Sequence, residues 1–274
     1  MGVVREFALL TVALSVAVLQ AAESRPLAVD AGGRVYLESA YCSTSGRITY
    51  TKPVAEQTAY IAFRTRDFGR LTVDAWFCSA LNDQTDHVHR RAFYIYEGTA
   101  LYGYDIALTD DMTLVSDAGG LWDLLYGYRT SQQTPVAWYS KHTLKTPYVS
   151  PYVSGLGVIT PGHSLRFRLG LNQLYRPFRW LRVTPFAETI WADRSRFKNH
   201  YGVDPENVFA GGCFMMAAFG FVAEWALDDN WYVWGRFREM VALDQTARDV
   251  VDESSSETMV KDLAMFGLGI GCRF

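Results

Sequence analysis

Bulky apolar side chains return at every second position in one segment of this chain after another. In SLRFRLGLN, Leu165, Phe167, Leu169 and Leu171 alternate with Arg166, Arg168, Gly170 and Asn172. In WYVWGRFREMVAL, Trp231, Val233, Phe237, Val241 and Leu243 share one parity, and Tyr232, Trp234, Arg236 and Arg238 the other. RLTVDAWFCSAL sets Leu71, Val73, Ala75, Phe77 and Leu81 against Arg70, Thr72 and Asp74. RVYLESAY sets Val35, Leu37 and Tyr41 against Arg34, Tyr36 and Glu38. Successive side chains of a strand point to opposite faces, so a period of two predicts half-buried β-strands.

Carried along the chain, the pattern predicts twelve strands near 33–43, 57–65, 70–81, 92–108, 112–127, 135–144, 149–159, 164–175, 180–192, 209–227, 231–243 and 258–274. Ten or fourteen remain open, because 119–151 alternates irregularly. The connections divide by length. IALTDDMTL and WALDDNWYV place a few turn-forming polar residues between long strands, as tight hairpins do. The links at 66–69, 109–111, 175–179 and 228–230 all fall on one side of a twelve-strand meander, and both termini join them. The longer polar connections 82–91, 193–207 and 244–257 fall on the other. Short turns at one end and long loops at the other describe an outer-membrane β-barrel.

The N-terminus adds a compartment. Arg5 is followed by the apolar run 7–18 and then by Gln20 and the small residues Ala21 and Ala22. That order predicts a signal peptide over 1–22, cut near Ala22, with the barrel over 23–274. The alternative is an uncleaved anchor, for which the run is short. No later stretch has the apolar length of a spanning helix. The formal net charge of −3 offers nothing to a nucleic acid.

A soluble β-sandwich alternates too, so the choice of lipid rests on further features. Arg166, Arg168, Arg182, Glu188, Arg236 and Arg238 crowd the polar face, and a barrel lumen admits such groups where hydrocarbon does not. Tyr94, Tyr96, Tyr102 and Tyr104 share a face of one strand, while Trp191, Trp225 and Trp231 adjoin connections, as interfacial aromatics do. In the final segment MFGLGIGCRF, Phe266, Leu268, Ile270, Cys272 and Phe274 form one face against Gly267, Gly269 and Gly271. Gly269, Cys272 and Phe274 resemble the C-terminal insertion signal of Gram-negative outer-membrane proteins; Gly267 stands where that signal carries a polar residue. The resemblance implies outer-membrane lipid and the barrel-assembly machinery as partners.

Three further stretches, His200–Val203 (HYGV), DDNWYVWGRF and the acidic, serine-rich loop before the last strand, resemble the MltA-interacting (MipA/OmpV-like) family over roughly the last third of the chain. That resemblance implies a non-enzymatic, structural or scaffolding barrel that gathers peptidoglycan-remodelling proteins. The alternatives are a porin-like passive channel for small solutes or anions and an outer-membrane lipid or peptide hydrolase.

Candidate chemistry is thin. His163 and Ser164 are adjacent, so a strand aims them to opposite faces. Ser140 and His142 share a face without an evident third partner. Asp83, Asp86, His87 and His89 sit in an expected external loop and offer two imidazoles where a metal wants about four ligands. The reading is therefore no enzyme, no metal and no cofactor. Cys42, Cys78, Cys213 and Cys272 are widely spaced; parity puts Cys42 and Cys78 on one face but two strands apart, beyond disulfide reach, so free thiols are expected.

Overall fold

The computed structural model describes residues 28–42, 48–50, 53–65, 69–81, 94–126, 136–160, 164–193, 195, 213–243 and 262–274. The strands are β1 (Ala28–Glu38), β2 (Tyr41–Cys42), β3 (Ile48–Tyr50), β4 (Val54–Thr65), β5 (Gly69–Ala80), β6 (Tyr94–Ala107), β7 (Thr113–Tyr126) and β8 (Val136–Lys145). Then come β9 (Ser150–Thr160), β10 (Ser164–Asn172), β11 (Tyr175–Phe178), β12 (Leu181–Ala192), β13 (Cys213–Ala226), β14 (Trp231–Ala242) and β15 (Asp262–Arg273).

All but β2, β3 and β11 form a closed antiparallel ring of twelve strands, each paired with its neighbours in sequence. β10 pairs with β12, and β15 returns to β1, so the sheet has no free edge. Closure runs to the last residue: Phe274 N donates to Ala31 O at 2.7 Å, and Ala31 N donates to Phe274 O at 3.1 Å. In hydrocarbon an unpaired strand edge is prohibitive, and a ring removes it. No described helix is long and apolar enough to cross a membrane. This is the architecture of an outer-membrane barrel.

Each expected strand is present, with shifted ends. The first begins at Ala28, where Ala28–Gly32 pair with Tyr60–Arg64 although their small side chains give no alternation to read. It stops at Glu38 rather than at 43. There Ser39 N donates to Phe266 O at 2.9 Å and Ser39 Oγ accepts from Phe266 N at 3.1 Å, and the chain leaves the ring. Tyr41–Cys42 then pair with Ile48–Tyr50 in a separate small sheet, which takes Cys42 off the barrel wall. The strand expected to reach 175 ends at Asn172, and β11 instead pairs with the start of β12.

Turn chemistry at the short-link end is local. Asp228 Oδ1 accepts from Asn230 N at 2.8 Å and Trp231 N at 2.7 Å. Thr146 Oγ1 accepts from Val149 N at 3.2 Å and donates to Val149 O at 2.6 Å. Side-chain oxygens that bond the backbone two or three residues on stabilise such turns. Exposed aromatics gather at this end: Tyr102, Tyr104, Tyr148, Phe178, Trp180, Trp225, Trp231 and Phe274. Phe178 stacks on Trp180 at 4.8 Å, and Trp180 meets Trp225 at a tilt, 4.5 Å away. Between the two ends, Leu169, Phe221, Leu268, Ile270, Val35 and Leu37 are exposed outward. Their cost in water is removed by acyl chains.

The expected leader at 1–22, Asp83, Asp86, His87, His89, His163 and the HYGV stretch lie outside the described residues, as do the side chains of Tyr94, Tyr96, Cys42 and Cys213. Cys78 and Cys272 are free thiols.

Candidate functional site: the barrel interior

Side chains from strands that are not neighbours meet only on the concave face, and such meetings identify the interior. Arg70 of β5 and Asp117 of β7 pair at 2.6 Å, Arg238 of β14 and Glu188 of β12 at 2.9 Å, and Arg273 of β15 and Glu224 of β13 at 2.6 Å. Alternation then assigns the remaining inward positions of each strand.

The glycines of β15 explain themselves on this face. Three successive rows of the register read Tyr232–Gly271–Arg34, Trp234–Gly269–Tyr36 and Arg236–Gly267–Glu38. With no side chain on β15, groups from β14 and β1 meet across it. Trp234 and Tyr36 rings lie 4.6 Å apart, and Arg236 pairs with Glu38. A Cβ at Gly269 would collide with Tyr36, and one at Gly271 with Tyr232. The Arg34 guanidinium stands over Trp234 at 5.0 Å and over Tyr36 at 5.4 Å, and Arg273 over Tyr232 at 4.3 Å. Of the C-terminal signal residues, Gly269 faces inward while Cys272 and the exposed Phe274 face outward.

The same device recurs on the far side. In the row Tyr152–Gly170–Glu188 the phenol of Tyr152 crosses Gly170 and donates to Glu188 Oε2 at 2.5 Å. Arg168 Nη1 lies 3.5 Å from the same carboxylate, and Arg238 Nη2 donates to its other oxygen at 2.9 Å. Lys141 stands 4.8 Å over the Tyr152 ring. Arg182 lies 3.8 Å from Glu224. Arg166 is buried. Glu56 accepts from Tyr36 Oη at 2.5 Å and Trp76 Nε1 at 2.8 Å.

Inward charges are sorted by side. Among the described side chains the wall from β8 to β15 carries Lys141, Lys145, Arg166, Arg168, Arg182, Arg236, Arg238 and Arg273 against Glu188 and Glu224. From β1 to β7 it carries Asp30, Glu38, Glu56, Asp74, Glu97, Asp105 and Asp117 against Arg34, Arg64 and Arg70 among the described side chains. The interior is also layered along its axis, which strand parity alone does not reveal. Toward the short-link end Arg182, Arg273 and Asp105 keep about a third of their side-chain surface (37%, 34% and 38%). Toward the long-loop end Val54, Cys78, Ile190 and Met240 have none, and Met265 has 1%. Leu121, Ala137 and Leu156 pack together in that tier.

Twelve strands spaced about 4.8 Å and tilted about 40° close into a backbone cylinder roughly 24 Å across, which leaves on the order of 10 Å between opposed side chains. Every described ion pair joins strands one or two places apart in the ring. The pairs run along the wall and none crosses it.

Sequence reasoning singled out six of these charges, set Arg34, Glu38, Arg70 and Asp74 on polar strand faces without giving them a role, and missed Lys141, Tyr152, Glu56 and the rest of the acidic side. Lys141 lies in the irregular stretch, where parity is hard to assign without the register. The catalytic candidates are dispersed. Ser164 is buried inward; His142 Nδ1 lies 3.1 Å from Ser116 Oγ on the outward, exposed face. Among the described residues no group of three or more His, Cys, Asp or Glu side chains is placed to hold a metal.

No protein-family model and no curated protein matches the chain. Solved structures with a similar course of chain include a KdgM porin in complex with disordered oligogalacturonate, 9% identical, covering 89% of this chain and 99% of that one, with a TM-score of 0.48. A TodX monoaromatic hydrocarbon channel mutant is 9% identical over 91% and 89%, with a TM-score of 0.47. OmpT, an outer-membrane protein of Vibrio cholerae, is 10% identical over 90% and 97%, with a TM-score of 0.40.

Proposed function

We propose that this barrel is a porin-like passive channel for small solutes. The observation that carries the reading is the disposition of the ion pairs: a barrel shut by salt links would bridge strands on opposite sides of the ring, whereas Arg238–Glu188 and Arg182–Glu224 stay within the β12–β14 wall and Arg236–Glu38 spans only the seam at β15. Charges kept along the wall leave an axial path that water and ions can occupy. The scaffolding role implied by the C-terminal resemblance needs no such path. A hydrolase needs a nucleophile, base and orienting group in mutual contact, and His142–Ser116 supplies two of the three.

The tight tier around Ile190, Met240 and Met265, whose side chains keep almost no water-accessible surface, is then the layer that narrows the path and limits conductance. The test is single-channel recording of the detergent-folded protein in planar bilayers. Discrete steps are expected, and Met240→Ala with Met265→Ala is expected to enlarge them about twofold or more, since flow follows the narrowest section. A silent bilayer from protein that runs as a folded barrel, or steps unmoved by the double variant, overturns the reading.

A further inference from the structure

Two guanidiniums reach one carboxylate inside the barrel, and an ammonium stands beside them over the ring that donates to it. Arg168 and Arg238 both reach Glu188, at 3.5 and 2.9 Å. Lys141 shares a register row with Arg168 across the small Ser154, and its ammonium stands over the Tyr152 ring, which itself donates to Glu188. The acid opposite Lys141 on β7 is Asp117, and Arg70 engages it at 2.6 Å. Among the described residues, Lys141 has no carboxylate within ion-pair distance. The Arg168 Nε is buried and without a hydrogen-bond partner.

Glu188 is the carboxylate that Arg168 has in contact, Arg238 draws on the same group, and Lys141, half-buried beside them, has none within reach. Unbalanced enclosed charge is costly, and a mobile counter-ion relieves it at no cost in protein packing. Guanidinium edges and an ammonium together favour oxyanions, which accept several charge-assisted hydrogen bonds at once. Glu188 already occupies part of that acceptor position with the protein's own carboxylate.

We propose that Lys141, Arg168 and Arg238 form a binding site for a small oxyanion, phosphate-like or carboxylate-like, in which Glu188 is a built-in competitor. Its part in permeation rests on the channel reading; the binding itself does not. A permeating anion exchanges with Glu188 for the guanidiniums, pauses there and moves on.

The test uses the full folded barrel with inorganic phosphate as the probe. Calorimetry in detergent at low ionic strength is expected to give one site per chain. Lys141→Gln and Arg168→Gln each weaken it about tenfold, as the loss of one charge-assisted contact implies. Glu188→Gln tightens it, and Lys145→Gln, near the end of the same strand, leaves it unchanged. Each variant is first checked for compact migration on an unboiled gel, so that misfolding is not read as lost affinity. Equal affinities in wild type, Lys141→Gln and Arg168→Gln, or weaker binding in Glu188→Gln, overturn the site, as does an absence of binding heat from folded protein. In bilayers, phosphate is expected to reduce chloride current in proportion to occupancy. Binding without conductance refutes the channel and leaves the site standing; conductance without binding or block refutes the site and leaves the channel standing.

Discussion

Gly269 has Trp234 on one side and Tyr36 on the other, and the space it leaves is where the two rings meet. The glycines that alternate with Phe266, Leu268 and Ile270 are thus required by neighbours on the strands before and after. Gly269→Leu should drive a side chain into Tyr36 and prise β1 from β15. Gly235→Leu, on the outward face of β14, should be tolerated, since a Cβ there meets nothing nearer than 3.9 Å. The fraction of protein running as a compact unboiled band measures both. The prediction is loss of most of that band in the first variant and retention in the second, and equal bands would refute the seam.

At the scale of the strand, alternation separates two environments, acyl chains outside and the barrel interior inside. β10 displays it most plainly, with Leu169 exposed outward and Asn172 inward. Leu169→Arg puts a charge near the middle of the hydrocarbon and should cost about 2–4 kcal/mol in reversible urea unfolding from vesicles. Asn172→Arg on the same strand should stay within about 0.5 kcal/mol. Comparable losses at the two positions would remove the membrane from the account. The irregular stretch is the instructive exception. In β8 the inward set is Ala137, Tyr139 and Lys141, and the outward set holds Trp138, Ser140 and His142. Neither set is wholly apolar, so the sequence shows a strand there without showing which face is which.

Across the whole molecule the basic wall of β8–β15 faces the acidic wall of β1–β7. Opposed charge of this kind lets each wall favour one sign of ion. In a tenfold potassium chloride gradient, Arg182→Gln with Arg273→Gln should move the reversal potential toward cation preference. Asp30→Asn with Asp105→Asn should move it the other way. Shifts in the same direction, or none, would refute an interior field shared by permeating ions. The measurement belongs to this scale because no strand carries the field alone.

Strand direction, the division into short links and long loops, and the outward apolar set were legible in the chain, because each depends only on a period of two and on local turn chemistry; twelve strands were expected, with ten or fourteen left open. Alternation also put Arg166, Arg168, Arg182, Glu188, Arg236 and Arg238 on the polar face of their strands. On charge and parity alone Arg182 and Arg238 had Glu188 and Glu224 as possible partners; which acid each takes, and what else joins them, was not legible. Arg238 finds Glu188 fifty positions away, and Lys141 joins Arg168, because the ring fixes the register and small residues clear the row between them. Contacts over such separations come from closure, as does the packed apolar tier above the charges. Periodicity tells each side chain which way to face; only the curvature of the closed sheet decides what it meets there.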